Sequence, residues 1–156
     1  MINGNEWFVK YQKLPDDEKE IYMEYVLGAE EKTIVFDYER FIEAIELLAS
    51  EPDDLRAEYN KMLNMADEVA LTFDNEGVYI AHHLKSENYI SEEVYNLVIQ
   101  IDKQLESLSN EHNEKNWTIQ AMKTDQRWIK ARALANEVIV KAGCSESMWV
   151  GEQKWK

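Results

Sequence analysis

The sequence predicts an α+β fold that is predominantly helical, in which about five or six helices pack with one small antiparallel β-hairpin or sheet. Three observations predict this class. Apolar residues recur with the helical period of 3.6 through most of the chain, one central stretch alternates with period two, and the 156 residues include only five Gly and two Pro. Because no repeat or linker interrupts these patterns, we expect one domain over residues 1–156, with 144–156 as an irregular C-terminal tail.

The first part of the chain predicts three helices joined by short turns. The first begins after Pro15, where acidic residues favour a helix N-terminus, and stops at Gly28. The second is capped by Asp37 and must end before Pro52, and the third begins at Asp53. Their apolar faces comprise Ile21, Tyr22, Tyr25 and Val26 in the first helix, Phe41, Ile42, Ile45, Leu48 and Ala49 in the second, and Leu55, Tyr59, Met62, Leu63 and Ala66 in the third.

The central stretch predicts the hairpin. Its alternating apolar residues are Val69, Leu71 and Phe73 before the turn and Val78 and Ile80 after it. Residues 74–77, Asp-Asn-Glu-Gly, supply the turn chemistry that joins two short antiparallel strands. Since an isolated hairpin is marginally stable, we expect it to pack on helices or to pair with a further strand, for which 32–36 and 7–11 are the candidates.

The last part of the chain is again helical. Ser91 is the predicted N-cap of the most regular amphipathic helix, whose apolar residues are Val94, Leu97, Val98, Ile101, Leu105 and Leu108. A polar loop over 109–114 follows it. Residues 116–124 then predict a short helix, and residues 125–142 predict a longer one that Gly143 closes.

The composition indicates the cellular compartment of the protein. Cys144 is the only cysteine, so no internal disulfide forms and a reducing compartment is indicated. No apolar run approaches the roughly 20 residues of a membrane span, and the N-terminal residues lack the features of an export signal. We therefore expect a cytoplasmic protein that does not bind membranes.

The sequence contains no recognisable catalytic motif. The five glycines are too far apart to form a phosphate-binding loop, and Cys144 has no nearby histidine in the sequence. His82 and His83 are adjacent, so on a strand their rings point to opposite faces, and neither they nor His112 match the spacing of a zinc-binding helix. We expect no catalytic residues, no metal and no cofactor, and hence no enzyme.

Large aromatic residues fall into two groups. Trp7, Phe8, Tyr11, Trp117 and Trp128 occur at spacings that helices or strands would bury, which favours a place in the core. Trp149 and Trp155 belong to the tail. They either clamp the tail across the domain surface or form part of an interface.

Negative charge is concentrated in one part of the chain. Residues 1–106 carry 25 Asp and Glu against 9 Lys and Arg, a net charge of −16, whereas residues 107–156 carry 6 against 8, a net charge of +2. This excess exceeds what solubility requires and favours a basic protein partner over direct nucleic-acid binding, although a solvated face remains the alternative. The candidate partner-binding residues are Asp17, Glu20 and Glu24 in the first helix and Glu39, Glu43 and Glu46 in the second.

One segment resembles a known group of proteins. Residues 116–128 contain a Trp-Thr-x-x-Ala pattern followed by Trp128, and the helix continues through Ala131, Ala135 and Val138 to Gly143. This resembles the C-terminal helical ending of some small bacterial immunity proteins encoded beside toxins. The resemblance implies a protein that binds a cognate toxin and blocks its active site. It carries over no individual residue, because such proteins recognise toxins through surfaces that differ from one to the next.

Three functional hypotheses follow, with the oligomeric state left open. The first is a stoichiometric inhibitor of immunity or antitoxin type, whose acidic surface docks on a basic toxin, such as a nuclease, and covers its cleft. The second is a phage or plasmid anti-defence protein that imitates DNA or sequesters a host defence factor. The third is an enzyme whose site is assembled from His82, His83, His112 and dispersed carboxylates.

Overall fold

The structure is a computed structural model that describes residues 6–58 and 65–143. In those two ranges the secondary structure is helical and contains no strand, so the expected α+β class with a hairpin is wrong. The helices are α1 Glu6–Gln12, α2 Asp16–Ile21, α3 Ala29–Ala49, α4 Pro52–Glu58, α5 Met65–Thr72, α6 Tyr79–Ser86, α7 Glu92–Asn110, α8 Ile119–Thr124 and α9 Gln126–Gly143. A π-helical turn at Tyr22–Val26 extends α2, a π-helical segment at Phe73–Val78 joins α5 to α6, and a 3-10 turn at Glu114–Trp117 precedes α8.

Four long helical segments form an up-down-up-down bundle. They are α3, the continuous helix over 65–86, α7 and α9, and each runs antiparallel to the segments beside it. Two contacts join α3 to α9, Ala49 with Asn136 and Tyr38 with Ala142, and two join α7 to α9, Glu93 with Lys141 and Glu111 with Arg127. The helix over 65–86 contacts α3 through Arg40 and Glu76 and contacts α7 through His82 and Tyr95. Buried residues of α1 and of α3 to α9 join in one hydrophobic cluster between these segments.

The predicted hairpin is a helix because its apolar residues also satisfy the 3.6 period. The buried residues of 65–86 are Met65, Ala66, Val69, Phe73, Gly77, Ile80, Ala81 and Leu84, which form one stripe toward α3 and α7. Leu71, which completed the alternation, is 56% exposed. The proposed turn at 74–77 lies inside the π-helical segment, where the Tyr79 N–H donates to the Asp74 carbonyl five residues earlier.

Gly77 is required by packing inside this segment. A Cβ atom added there would lie 2.8 Å from Cδ1 of Phe73, whose ring is completely buried. The glycine therefore allows the aromatic ring to fill the core at the π-helical segment. The sequence pattern predicts a turn at this position. In the structure, the missing side chain of Gly77 instead leaves room for the Phe73 ring to lie against the backbone.

In the first part of the chain, the helix boundaries differ from those that the sequence predicts. The helix predicted to start at Asp37 begins at Ala29, and the Gly28 N–H donates to Glu31 Oε1 at 2.7 Å in the first turn. The two further strand candidates, 32–36 and 7–11, are helical in α3 and α1, so this expectation is also wrong. Asp53 lies in the first turn of α4, after Pro52, rather than at its cap.

Several expectations are confirmed and others lie outside the described residues. Ser91 caps α7, its Oγ accepting a hydrogen bond from the Val94 N–H at 3.1 Å. The polar loop is shorter than expected, because α7 continues to Asn110. The expectations for Tyr59, Met62 and Leu63 in the third helix, and those for Cys144, Trp149, Trp155 and the tail over 144–156, lie outside the described residues.

Of the five large aromatic residues that the sequence assigns to the core, three are buried and two are only half-buried against it. Phe8 and Tyr11 are buried, and Trp128 is 1% exposed, while Trp7 and Trp117 are half-buried against the core. Their burial fixes α1 and the start of α9 on the bundle, because each large aromatic ring removes extensive apolar surface from water.

Candidate functional site

One groove lies between α3 and the helix over 65–86. It has a volume of about 530 Å³, and its acidic lining residues are Glu43, Glu46, Glu68 and Glu76. Arg40 is the only basic residue among the described lining residues, and its Nε donates to Glu76 Oε2 at 2.6 Å. We name this groove A. Arg40 pairs with only one of the four carboxylates that line groove A, so the groove keeps a net negative charge.

Like charges crowd along the α3 wall of groove A. Partial desolvation raises the pKa of Glu39 and of Glu46, and the neighbouring carboxylate of Glu43 raises both further. Lys19 lowers the pKa of Glu39 and so offsets part of the effect there. The i, i+4 and i, i+3 spacing on a helix produces this crowding, since it stacks the three side chains on one face.

A second groove lies on the other side of the same helix, against α7. It has a volume of about 540 Å³, and its acidic lining residues are Asp67, Asp74, Asp102 and Glu106. We name it groove B. Its apolar lining includes Leu71 and Trp117, and no described lining residue is basic. Partial burial raises the pKa of Asp102, and the carboxylates of Asp74 and Glu106 raise it further while His82 lowers it.

The two grooves form one acidic face. We use this name for the eight carboxylates of grooves A and B, which flank the exposed ridge of α5 and the π-helical segment. Leu71, on the side of this ridge that lines groove B, is 56% exposed. The acidic face therefore combines a concentrated negative potential with an exposed apolar side chain, which is the chemistry that a cationic partner with apolar residues would recognise.

Basic residues of the C-terminal part are paired away from the acidic face. Lys123, Arg132 and Lys141 form ion pairs with acidic residues of the first part of the chain, Asp53 at 2.9 Å, Glu51 at 3.4 Å and Glu93 at 3.0 Å. Among the ion pairs within residues 6–58 and 65–143, the pairs of Arg40 with Glu76 and Asp37 are the ones beside groove A, and none lies in groove B. The bundle leaves most of the acidic face unneutralised.

The two predicted acidic stripes occupy different surroundings. Glu43 and Glu46 line groove A, and Glu39 lies one turn away on the same helix. Asp17, Glu20 and Glu24 are exposed on α2 and its π-helical turn and line neither groove. Two of the six candidate residues therefore line groove A, and the two stripes do not line a common groove.

Sequence reasoning missed six carboxylates of the acidic face. They are Glu68 and Glu76 in groove A and Asp67, Asp74, Asp102 and Glu106 in groove B. Assigning 69–80 to a hairpin hid Asp74 and Glu76, because it placed them in a turn. Asp67 and Glu68 precede that stretch, and Asp102 and Glu106 lie on the correctly predicted α7 but belong to neither predicted stripe. The signal was available, since a helical reading of 65–86 places acidic residues on both flanks of its buried stripe.

The three histidines are not brought into one site. His82 shares a hydrogen bond of 2.7 Å with the Tyr95 hydroxyl, His83 lines a different groove, and His112 lies in the turn after α7 with a positive φ of 52°. Within the described part of the chain, no three His, Cys, Asp or Glu residues are arranged to hold a metal ion. In the same part, each helix is too short or too polar to cross a lipid bilayer.

The fold and the site define an all-helical bundle with a two-groove acidic face in its described part. Comparison of the chain with protein-family models, with curated proteins and with solved structures finds no match.

The shifted carboxyl groups predict an unusual dependence of stability on pH. Raised pKa values at Glu39, Glu46 and Asp102 mean that the folded state binds protons more tightly than the unfolded chain. Stability will therefore rise as the pH falls from 7 toward the ordinary carboxyl range near about 4. At lower pH it will fall, because contacts with Arg127 hold the pKa of Glu111 and of Asp125 below the usual range.

Thermal melts at constant low ionic strength between pH 7 and pH 3 measure this profile. Glu43→Gln removes the negative charge that raises the pKa of both Glu39 and Glu46. The increase in melting temperature between pH 7 and 5 should therefore be smaller than in the unchanged protein. Glu24→Gln is the matched control, because it makes the same charge change outside both grooves. A melting temperature that falls steadily from pH 7 would contradict the raised pKa values.

Proposed function

We propose that this protein is a stoichiometric inhibitor of the immunity type, which docks its acidic face on a basic toxin and blocks the toxin's active cleft. The observation that carries the proposal is the convergence of eight carboxylates from three helical segments in two adjoining grooves. Nucleic-acid-cleaving toxins need basic clefts to hold phosphates, so an acidic face of this kind is complementary to them.

The shape of the face favours an inhibitor over a DNA mimic. A mimic has to display its charges outward at phosphate spacing along a duplex. Here the carboxylates line grooves on either side of a ridge, and some have raised pKa values because they are partly desolvated. Such grooves favour the entry of Lys and Arg side chains, whose positive charge would offset the repulsion between the carboxylates and which would form short, charge-assisted hydrogen bonds with them.

The exposed ridge supports the same mode of binding. A protein interface gains most of its affinity from a small number of buried apolar or aromatic contacts, while charges mainly raise the association rate. Leu71 and Trp117, which both line groove B, supply apolar surface within the acidic surroundings. We therefore assign steering to the carboxylates and the slow dissociation to contacts around these two residues.

The test is to capture partners from the source cell on the immobilised full chain and to measure the activity of each captured protein. The proposal expects a basic protein that is toxic when produced alone, whose activity is abolished at a 1:1 ratio and whose association slows at least about tenfold between low and high salt. A synthetic polyanion at equal charge is the control for non-specific neutralisation. A partner that remains active at saturation would contradict the proposal, and inhibition only of DNA-binding proteins that duplex DNA displaces would support the mimic instead.

A further inference from the structure

A third groove, groove C, lies at the opposite end of the bundle from the acidic face. It has a volume of about 840 Å³ and is formed by α1, the first turns of α3 and the end of α6 with the turn that follows. Its apolar wall consists of Trp7, Ile34 and Tyr89, and its acidic lining residues are Glu30, Glu31 and Glu87. The Trp7 and Tyr89 rings meet edge to face with centroids 6.0 Å apart, and both remain half-buried. Groove C is thus an aromatic surface with a negative rim.

The last described turn of α9 lies next to groove C. The Tyr38 hydroxyl donates to the Ala142 carbonyl at 3.2 Å, and the Tyr38 ring contacts Phe8, whose ring in turn contacts both Trp7 and Tyr89. Because α9 runs antiparallel to α3, the chain leaves Ala142 in the direction of the preceding turn of α3, which contains Ile34. Groove C is therefore the groove toward which α9 points.

The residues beyond α9 have the chemistry that groove C would bind. Residues 144–156 contain Trp149 and Trp155, and they end in Lys154-Trp155-Lys156. Two glutamates in the segment offset its lysines overall, but the positive charges are grouped around Trp155. An extended chain covers at most about 3.3–3.6 Å per residue, so Trp149, the sixth residue after Gly143, can reach about 20 Å from the end of α9.

We propose that residues 144–156 fold back and bind in groove C, with tryptophan against Trp7, Ile34 and Tyr89 and with Lys154 and Lys156 near the acidic rim. Binding within one chain needs little affinity, because the short connection gives the segment a high effective concentration at the groove. The stacked aromatic contacts supply apolar burial, and the carboxylates of Glu30, Glu31 and Glu87 supply charge complementarity. This inference does not rest on the proposed function, since groove C is separate from the acidic face.

Limited proteolysis of the full chain tests the proposal. Chymotrypsin cleaves after Trp149 and Trp155 where they are accessible, and mass spectrometry identifies each site. We expect the unchanged protein to be protected, and we expect the double variant Glu30→Lys with Glu87→Lys to be cut after Trp149 at least tenfold faster. The matched control is Glu18→Lys with Glu20→Lys, which makes the same charge change on exposed residues of α2. Equal cleavage rates in the unchanged protein and the groove variant would overturn the proposal.

A reciprocal measurement separates local release from general unfolding. In the full chain, Trp149→Ala combined with Trp155→Ala should shift the indole N–H resonance of Trp7 and the ring resonances of Tyr89. The indole resonance of Trp117, which lines groove B, should not move. Unchanged Trp7 and Tyr89 resonances would overturn the proposal. Protection that grows with protein concentration would overturn it too, because the segment would then bind a second copy of the chain.

Discussion

Replacing Trp128 with alanine will lower the free energy of unfolding by about 3–5 kcal/mol, the range typical of a large aromatic residue removed from a core. The side chain is 1% exposed, and it lies at the start of α9, where it contacts the Trp117 ring edge to face at a centroid distance of 5.9 Å. Its Nε1–H donates to the Asn116 carbonyl at 2.8 Å. Alanine leaves both a cavity and a buried carbonyl without this donor.

Urea unfolding followed by far-UV circular dichroism measures the effect without depending on tryptophan fluorescence. Trp128→Phe separates the two causes, because it keeps most of the apolar volume and removes the hydrogen bond, which contributes about 1 kcal/mol. Trp7→Ala is the matched control, since the same residue type is removed from a half-buried position whose ring contacts are with Phe8 and Tyr89. A loss below about 1 kcal/mol in Trp128→Ala would show that this corner of the bundle is not tightly packed.

The size of the effect follows from what Trp128 holds together. Asn116 is 6% exposed, and its Nδ2 donates both to the Leu108 carbonyl and to Glu111 Oε1. Arg127 contacts the same carboxylate at 2.7 Å and Asp125 at 2.8 Å. The end of α7, the 3-10 turn and the start of α9 are thus joined by one network, and loss of Trp128 exposes its buried members to water.

The proposed function predicts that reversing three exposed charges of the acidic face slows association with the cationic partner by about ten- to a hundredfold at low salt. The variant is Glu43→Lys, Glu68→Lys and Glu106→Lys, with changes in both grooves. All three side chains are exposed, so the core is untouched. Stopped-flow or surface-based kinetics at several ionic strengths measure the association rate, and the difference should shrink as salt screens the charges.

A matched variant tests whether the association rate depends on the net charge of the whole protein or on the acidic face. Asp17→Lys, Glu20→Lys and Glu24→Lys change the net charge by the same amount, on residues that line neither groove. We expect this control to slow association much less. An equal slowing in both variants would mean that net charge steers the partner and that the grooves have no special role. The melting temperature separates binding from folding, because removing the Glu43 charge relieves repulsion on Glu39 and Glu46 and should not destabilise the bundle.

The helical period of 3.6 residues correctly predicted several helices of this fold. It failed where the same apolar residues fit both the helical period and the strand period of two. In α7 the spacing of the apolar residues, with Ser91 at the cap, predicted both the helix and its buried face. Around residue 73 the pattern was ambiguous, because Val69, Phe73 and Ile80 fit both an alternating strand and a helical stripe. Burial resolves the ambiguity. The stripe fits between α3 and α7, whereas Leu71, which only the strand pattern would bury, is 56% exposed.

The sequence by itself determined α7 and α9, the buried aromatic residues Phe8, Tyr11 and Trp128, and the concentration of negative charge before residue 107, since these depend on composition and on spacing along the chain. Only the tertiary structure decided that α3, the helix over 65–86 and α7 place their carboxylates in two adjoining grooves. It also decided that the ion-pairing lysines and arginines of the C-terminal part lie elsewhere. The physical reason is that electrostatic interactions act through space, and distances in space follow from how helices pack rather than from separation in sequence.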